Sequence, residues 1–255
     1  MTRAAAPTVA LRGVGKTFES GTEALRGFDL TVREGEFVSL LGPSGCGKST
    51  ALRIIAGLSE ASVGSVEWPG KTAADDIGFV FQDPTLMPWA SVADNVCLPL
   101  KLRGAKVVPS RTAVGQALAR VSLCEFADSF PRELSGGMKM RASIARALVT
   151  EPHMLLMDEP FAALDEITRF RLNNDLLALW QELGRTVIFV THSVFESVYL
   201  SQRIVVMSSR PGRVFTEIEI PAAYPRNERF RTSAEYAGYC RQVANALEQA
   251  MAEGA

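Results

Sequence analysis

The octapeptide Gly42-Pro43-Ser44-Gly45-Cys46-Gly47-Lys48-Ser49 constrains this chain more than any other feature. It fits G-x-x-x-x-G-K-S/T and lies between the apolar run Phe37 to Leu41 and the helix-compatible stretch Thr50 to Ala56. Glycines let the backbone bend so that successive N–H groups face inward. The helix that follows turns its positive end to the same spot. A strand, loop and helix of this kind make a cradle for phosphates. Lys48 is placed to meet the β and γ phosphates, and the Ser49 hydroxyl to ligate a magnesium ion. With glycine at about 7% of residues, a chance match in a chain of this size arises about once in a hundred sequences. Gly15-Lys16-Thr17 and Gly70-Lys71-Thr72 repeat the closing tripeptide but carry Ala10 and Ser65 where the first glycine belongs, so neither makes a second cradle. Cys46, beside a lysine and a helix N-terminus, is expected to be a reactive thiol that bound nucleotide shields.

A cradle without a carboxylate to hold a metal would only bind. Met154-Leu155-Leu156-Met157-Asp158-Glu159 supplies one at the end of a buried strand. Asp158 is expected to hold the magnesium through water, and Glu159 to polarise a water that attacks the γ phosphate as general base. Two acidic residues at a strand end would by themselves more often be a solvated turn. The cradle gives the pair a partner.

Composition removes other classes. Twenty-seven Lys plus Arg against 28 Asp plus Glu leave a net charge of −1, without the positive field of a dedicated nucleic-acid binder. The longest apolar run, Leu176 to Trp180, falls far short of the roughly 18 to 20 residues a membrane span needs, so no direct insertion into a bilayer is expected. Cys46, Cys97, Cys124 and Cys240 are scattered, with only His153 and His192 to join them, which argues against structural zinc. Arg3 followed by Ala-Ala-Ala-Pro-Thr-Val lacks the pattern of a secretory signal, so a cytoplasmic location is expected.

Strand-like segments crowd the first third: Thr8 to Arg12, Phe28 to Val32, Phe37 to Leu41, Ser65 to Trp68 and Ile77 to Phe81. From about Ser91 to Thr150 the strand signal fades, and Ala113 to Val121 and Lys139 to Val149 read as helices. Near-continuous apolar strands return as Met154 to Met157, Thr186 to Val190 and Arg203 to Met207, the pattern of parallel strands covered on both faces. Leu172, Leu176, Leu179 and Leu183 mark a helix capped by Gly184. At the end, Thr232 and Glu235 have capping-box spacing ahead of Tyr236, Cys240, Val243, Leu247 and Met251, an amphipathic stripe expected to pack on the core.

Leu134-Ser135-Gly136-Gly137-Met138, ahead of the helix at Lys139, brings in a resemblance. The chain is similar to the ATP-binding subunits of ABC transporters, and this pentapeptide resembles their signature. Met138 stands where glutamine is common, and Met140 where a polar residue is often found. The resemblance, which spans nearly the whole chain, implies a P-loop NTPase (RecA-like) α/β core with an N-terminal antiparallel β region and an inserted α-helical subdomain. Within a single ABC ATPase domain of residues 1–255 it implies a core of 1–88 and 151–215, a helical signature subdomain of 89–150 and a C-terminal extension of 216–255.

The same resemblance implies ATP and Mg²⁺ as cofactors. It implies Phe18 as the aromatic that stacks on adenine, and Gly42 to Ser49 with Thr50 as the phosphate site. It implies Gln82 as a loop residue joining Ser49 and Asp158 at the metal, Ala163-Leu164-Asp165 as the D-loop, and Glu159 with His192 as catalytic residues. Ser135, Gly136 and Gly137 of one protomer would close over the ATP of the other, which makes hydrolysis a property of a homodimer. Leu86 to Val96, Thr191 to Leu200, Ser209-Arg210-Pro211-Gly212-Arg213 and Tyr224-Pro225-Arg226 resemble the nitrate, sulfonate and taurine importers. This implies integral membrane permease subunits, an extracytoplasmic solute-binding protein and a peripheral place on the cytoplasmic face of the inner membrane. The loop around Leu86, Met87 and Trp89 is then either internal packing or a groove for a permease helix. Two alternatives stay open at this point: an ABC ATPase acting on nucleic acid, which would carry a long insertion between Lys48 and Asp158, and a P-loop small-molecule kinase, which would leave the signature, Gln82 and His192 unexplained.

Overall fold

A computed structural model describes residues 7–69 and 76–253. The reading of Arg3 onward as free of a secretory pattern falls largely, and the tripeptide Gly70-Lys71-Thr72 entirely, outside the described residues. In chain order, strands β1 (Pro7–Thr17), β2 (Glu23–Arg33) and β3 (Phe37–Leu41) lead into α1 (Lys48–Ile55), β4 (Val63–Glu67) and β5 (Ile77–Val80). Helices α2 (Val92–Leu102), α3 (Val107–Arg120) and α4 (Gly136–Leu148) follow, then β6 (Met154–Asp158) and α5 (Glu166–Leu183). Strand β7 (Thr186–Thr191), helix α6 (Val194–Leu200), strands β8 (Arg203–Met207) and β9 (Val214–Glu219) and helices α7 (Glu228–Arg231) and α8 (Ala234–Ala252) complete the chain. Two compact units result: Met1–Ala74 with Gly184–Ala255, and Asp75–Leu183.

In the first unit, β1 pairs antiparallel with β2 on one side and β4 on the other, which is the expected N-terminal antiparallel region. Strands β7, β3 and β8 run parallel with β3 in the middle, and β9 returns antiparallel against β8. Every residue of β3, β7 and β8 is buried, so their lack of polar alternation reflects cover on both faces. Helix α1 packs against β7, α6 against β3, and α8 against α6 and β8. Tyr236, Cys240, Val243 and Ala250 supply the buried face of α8, while Met251 at its end is exposed. The expected capping box at Thr232 does not form. Ser233 is the cap and accepts from the Tyr236 N–H at 3.1 Å, while Thr232 ends α7.

The second unit holds the parallel pair β5 and β6 and a cluster of helices in which α4 packs against α2, α3, α5 and β5. Met140, Ala142, Ile144 and Leu148 are buried on α4, which accounts for an apolar residue at position 140. Helix α2, unassigned in the sequence, carries Pro99 inside it, a residue that reads as a helix breaker. Ser91 caps α2, accepting from the Asp94 N–H at 3.1 Å. Gly184 adopts φ 60°, the left-handed conformation expected of a C-terminal cap. Among the described residues, no helix is long and apolar enough to cross a membrane.

Candidate functional site

The phosphate loop leaves the buried strand β3 at Leu41 and enters α1 at Lys48. Gly47 takes φ 104°, a left-handed conformation, and a Cβ there would lie 2.6 Å from the Ala24 carbonyl oxygen. A Cβ on Gly42 would lie 2.8 Å from Cys46 Sγ. Glycine is thus required at 47 by backbone shape and by space, and at 42 by space. The Lys48 side chain is folded back along the loop, with Nζ donating to the carbonyls of Gly42 at 2.9 Å and Pro43 at 3.0 Å. A polyphosphate can exchange for these neutral acceptors with shorter, charge-assisted bonds. No acidic residue stands in the first turn of α1, so the positive helix end is left for an anion. Ser44 and Gly45 are exposed at the loop tip, and Pro43, Ser49 and Thr50 are half-buried. Cys46 corrects the expectation of a reactive thiol: it is 1% exposed, tucked under the loop, and a reagent reaches it only if the loop opens.

Register brings His192 to this loop. Leu41 of β3 is paired with Thr191 of β7, so the phosphate loop and His192 leave neighbouring parallel strands at the same edge, the usual place for a ligand in such sheets. His192 is exposed. Its turn is braced by its neighbours in the same segment: Thr191 Oγ1 donates to the buried Glu196 carboxylate at 2.5 Å and accepts from the Ser193 N–H at 3.0 Å, and Ser193 Oγ caps α6. Phe18 lies in the turn between β1 and β2, 42% exposed, with Lys16 Nζ 5.5 Å from its ring centre. The exposed part of the ring is available to a stacking partner.

In the second unit the same device operates. Val80 of β5 pairs with Met157 of β6, so Gln82 and the pair Asp158 and Glu159 leave adjacent strands at one edge. Asp158 is 7% exposed at the end of a fully buried strand. Glu159 is half-buried with φ 45°, a conformation that side chains rarely adopt and that turns the chain sharply after the strand. Gln82 is exposed, and the turn after it is held by Arg146 of α4, which donates to the carbonyls of Thr85 and Pro84, both at 2.8 Å. Burial lowers the Arg146 pKa from its usual value. Ser135 caps α4, accepting from the Met138 N–H at 3.3 Å, and Ser135 and Gly136 are exposed while Gly137 is buried. A Cβ on Gly137 would lie 2.7 Å from Thr168 Cγ2, which ties the signature to α5. Asp165 caps α5 through the Thr168 N–H at 2.9 Å. That backbone bond, with the Thr168 hydroxyl, lowers the Asp165 pKa.

The oxygen donors expected at the metal are a hydroxyl, an amide and a carboxylate. This is a hard set suited to magnesium. Ser49 belongs to the first unit, and Gln82 and Asp158 to the second.

A family model described as ABC transporter matches residues 25–162, more than half of the chain. The chain belongs to the ABC transporter family. Its fold is that of an ABC ATPase, and it is an ATP-binding subunit that hydrolyses ATP. It is 46% identical over 229 residues to an uncharacterized ABC transporter ATP-binding protein of Methanocaldococcus jannaschii, covering 89% of this chain and 85% of that one. Identity is 40% over 248 residues with an aliphatic sulfonates import ATP-binding protein of Bacillus cereus, covering 95% and 96%. A solved dimeric ATP-binding cassette in a post-hydrolysis state, bound to ADP and Pi, aligns at TM-score 0.72 and 36% identity over 84% of this chain and all of that one. Its family membership sets aside the small-molecule kinase.

Proposed function

We propose that this subunit energises import of a small organic anion of the sulfonate type. The observation that carries this reading is the 40% identity with an aliphatic sulfonates import ATP-binding protein across 95% of the chain. Residues 42–50 hold the polyphosphate of ATP, and Phe18 takes the adenine. Ser49, Gln82 and Asp158 hold Mg²⁺, which when bound offsets the charge of the phosphates. Glu159 accepts the proton of the attacking water, and His192 donates to the γ phosphate. Ser135, Gly136 and Gly137 serve the site of a second copy. The exposed positions of Ser135 and Gly136 support that role. Residues 1–88 and 151–215 act as the catalytic core, 89–150 as the signature subdomain and 216–255 as an extension. The dimer sits peripherally at the cytoplasmic face of the membrane on permease subunits, with an extracytoplasmic binding protein delivering the solute. No nucleic acid takes part.

Deletion of the coding region in the source organism tests the substrate. Growth on ethanesulfonate or taurine as sole sulfur source is expected to fail, growth on sulfate to continue, and the wild-type chain but not Lys48→Ala to restore it. Unimpaired sulfonate growth in the deletion strain would overturn the reading.

A further inference from the structure

The turn after β8, residues 208–213, lies against the outer side of the phosphate loop within the same unit. It is closed on itself: the Ser208 N–H donates to the Arg213 carbonyl at 3.0 Å, and Ser208 Oγ accepts from the Arg213 N–H at 3.1 Å. It is anchored to β2, because the Gly212 N–H donates to the Ala24 carbonyl at 2.9 Å and the Gly212 carbonyl accepts from the Arg26 N–H at 3.1 Å. From this base it meets two consecutive carbonyls of the phosphate loop. Arg210 Nε donates to the Gly45 carbonyl at 3.1 Å. Gly212 faces the next one so closely that a Cβ on it would fall 2.0 Å from the Cys46 carbonyl oxygen.

In a trans peptide the C=O and the following N–H point in opposite directions. Holding the Gly45 and Cys46 carbonyls on the outer side therefore turns the N–H groups of Cys46 and Gly47 to the inner side. The Cys46 N–H does point across the loop, donating to the Pro43 carbonyl at 3.3 Å. Anion binding by such a loop depends on N–H groups already aimed inward, since the reorientation cost is then met during folding.

We propose that Arg210 is a positioning residue for nucleotide binding, and that Arg210 and Gly212 together fix the peptide planes of residues 45–47 so that their N–H groups face the phosphates. Arg210 acts through the Gly45 carbonyl and not by touching nucleotide. A lysine there keeps a donor in reach, whereas alanine frees the peptide. At Gly212 any side chain pushes the Cys46 carbonyl away.

The test uses the full chain, with ATP and ADP affinity measured by calorimetric titration and with kcat and KM for ATP hydrolysis. Arg210→Ala is expected to weaken both nucleotides about three- to ten-fold, the range for loss of one hydrogen bond of ordinary strength. KM should rise by more than kcat falls, and Arg210→Lys should return affinity to within about twofold of wild type. Gly212→Ala, checked by a thermal melt, should weaken ATP more than Arg210→Ala does. Should Gly212→Ala fail to fold, the two Arg210 variants decide. Wild-type affinity and KM in Arg210→Ala, a Lys variant as impaired as the Ala variant, or a folded Gly212→Ala with wild-type ATP affinity would each overturn the proposal.

Discussion

The loops that follow β3 and β5 both leave a buried or partly buried parallel strand at its C-terminal end, and they are held by different means. Residues 42–47 are fixed by glycine conformations, by close backbone contacts and by a lysine folded onto two loop carbonyls. Residues 82–91 are fixed by side chains from helices. Arg146 grips Pro84 and Thr85, and the wholly buried Asn95 accepts from the Met87 N–H at 2.7 Å while donating to the carbonyls of Met87, Ala90 and Ser91. A loop held by its glycines and through its carbonyls can offer its N–H groups to a ligand. A loop set by inward-reaching side chains can turn its own side chains outward. Trp89 is 77% exposed, and Leu86 and Met87 are half-buried, so of the three large apolar residues the tryptophan is the one presented as a surface.

This contrast predicts a ranking of effects. Lys48→Ala, which strips the first loop of its one cation, is expected to cut ATP turnover by at least about a hundred-fold in a phosphate-release assay. Near-wild-type turnover would mean that the loop does not meet the nucleotide. Asn95→Ala leaves several buried polar groups of the second loop without partners. A stability loss of about 3 kcal/mol is expected in denaturant melts, with nucleotide affinity of the surviving folded protein little changed. A loss under 1 kcal/mol would show that the loop holds its shape without that side chain.

Trp89→Ser should leave stability within about 0.5 kcal/mol, because the ring is exposed, while lowering recovery of the subunit with the permease and transport more than ATPase activity. Full recovery and transport would assign the ring no partner. Smallest is the thiol effect. Peptide mapping after brief alkylation should find label on the exposed Cys124 and little on Cys46, with or without MgATP. Faster labelling at Cys46 than at Cys124 would mean that the loop opens often in solution.

The parts of the site legible in the sequence are those where one short segment carries both geometry and chemistry. Gly42 to Ser49 does so, and so does Met154 to Glu159, in which an apolar strand announces its own end. What could not be read there depends on register. Nothing local says that Leu41 faces Thr191 or that Val80 faces Met157, and those pairings bring His192 beside the phosphate loop and Gln82 beside the carboxylates. The bonds made by Asn95, Arg146 and Arg210 are not legible there either, because an asparagine or arginine on an element looks solvated until its tertiary partners are known. Cys46 shows the same limit: a lysine and a helix N-terminus beside it in sequence point to a reactive thiol, and only the fold shows it to be 1% exposed. The cap at Ser233 in place of Thr232 differs by a single position, within the usual uncertainty of a helix end.

In the proposed mechanism a phosphate loop and a general-base carboxylate act together on ATP in a dimer of this chain. Glu159→Gln tests it most directly, since the amide keeps the shape of the carboxylate but accepts no proton. The variant, followed by size-exclusion chromatography with light scattering and by phosphate release, is predicted to hydrolyse ATP at least about a hundred-fold more slowly and to elute as an ATP-bound dimer. With ADP it should elute as a monomer. A monomer in ATP together with undiminished hydrolysis would contradict both the assigned role of Glu159 and the shared site.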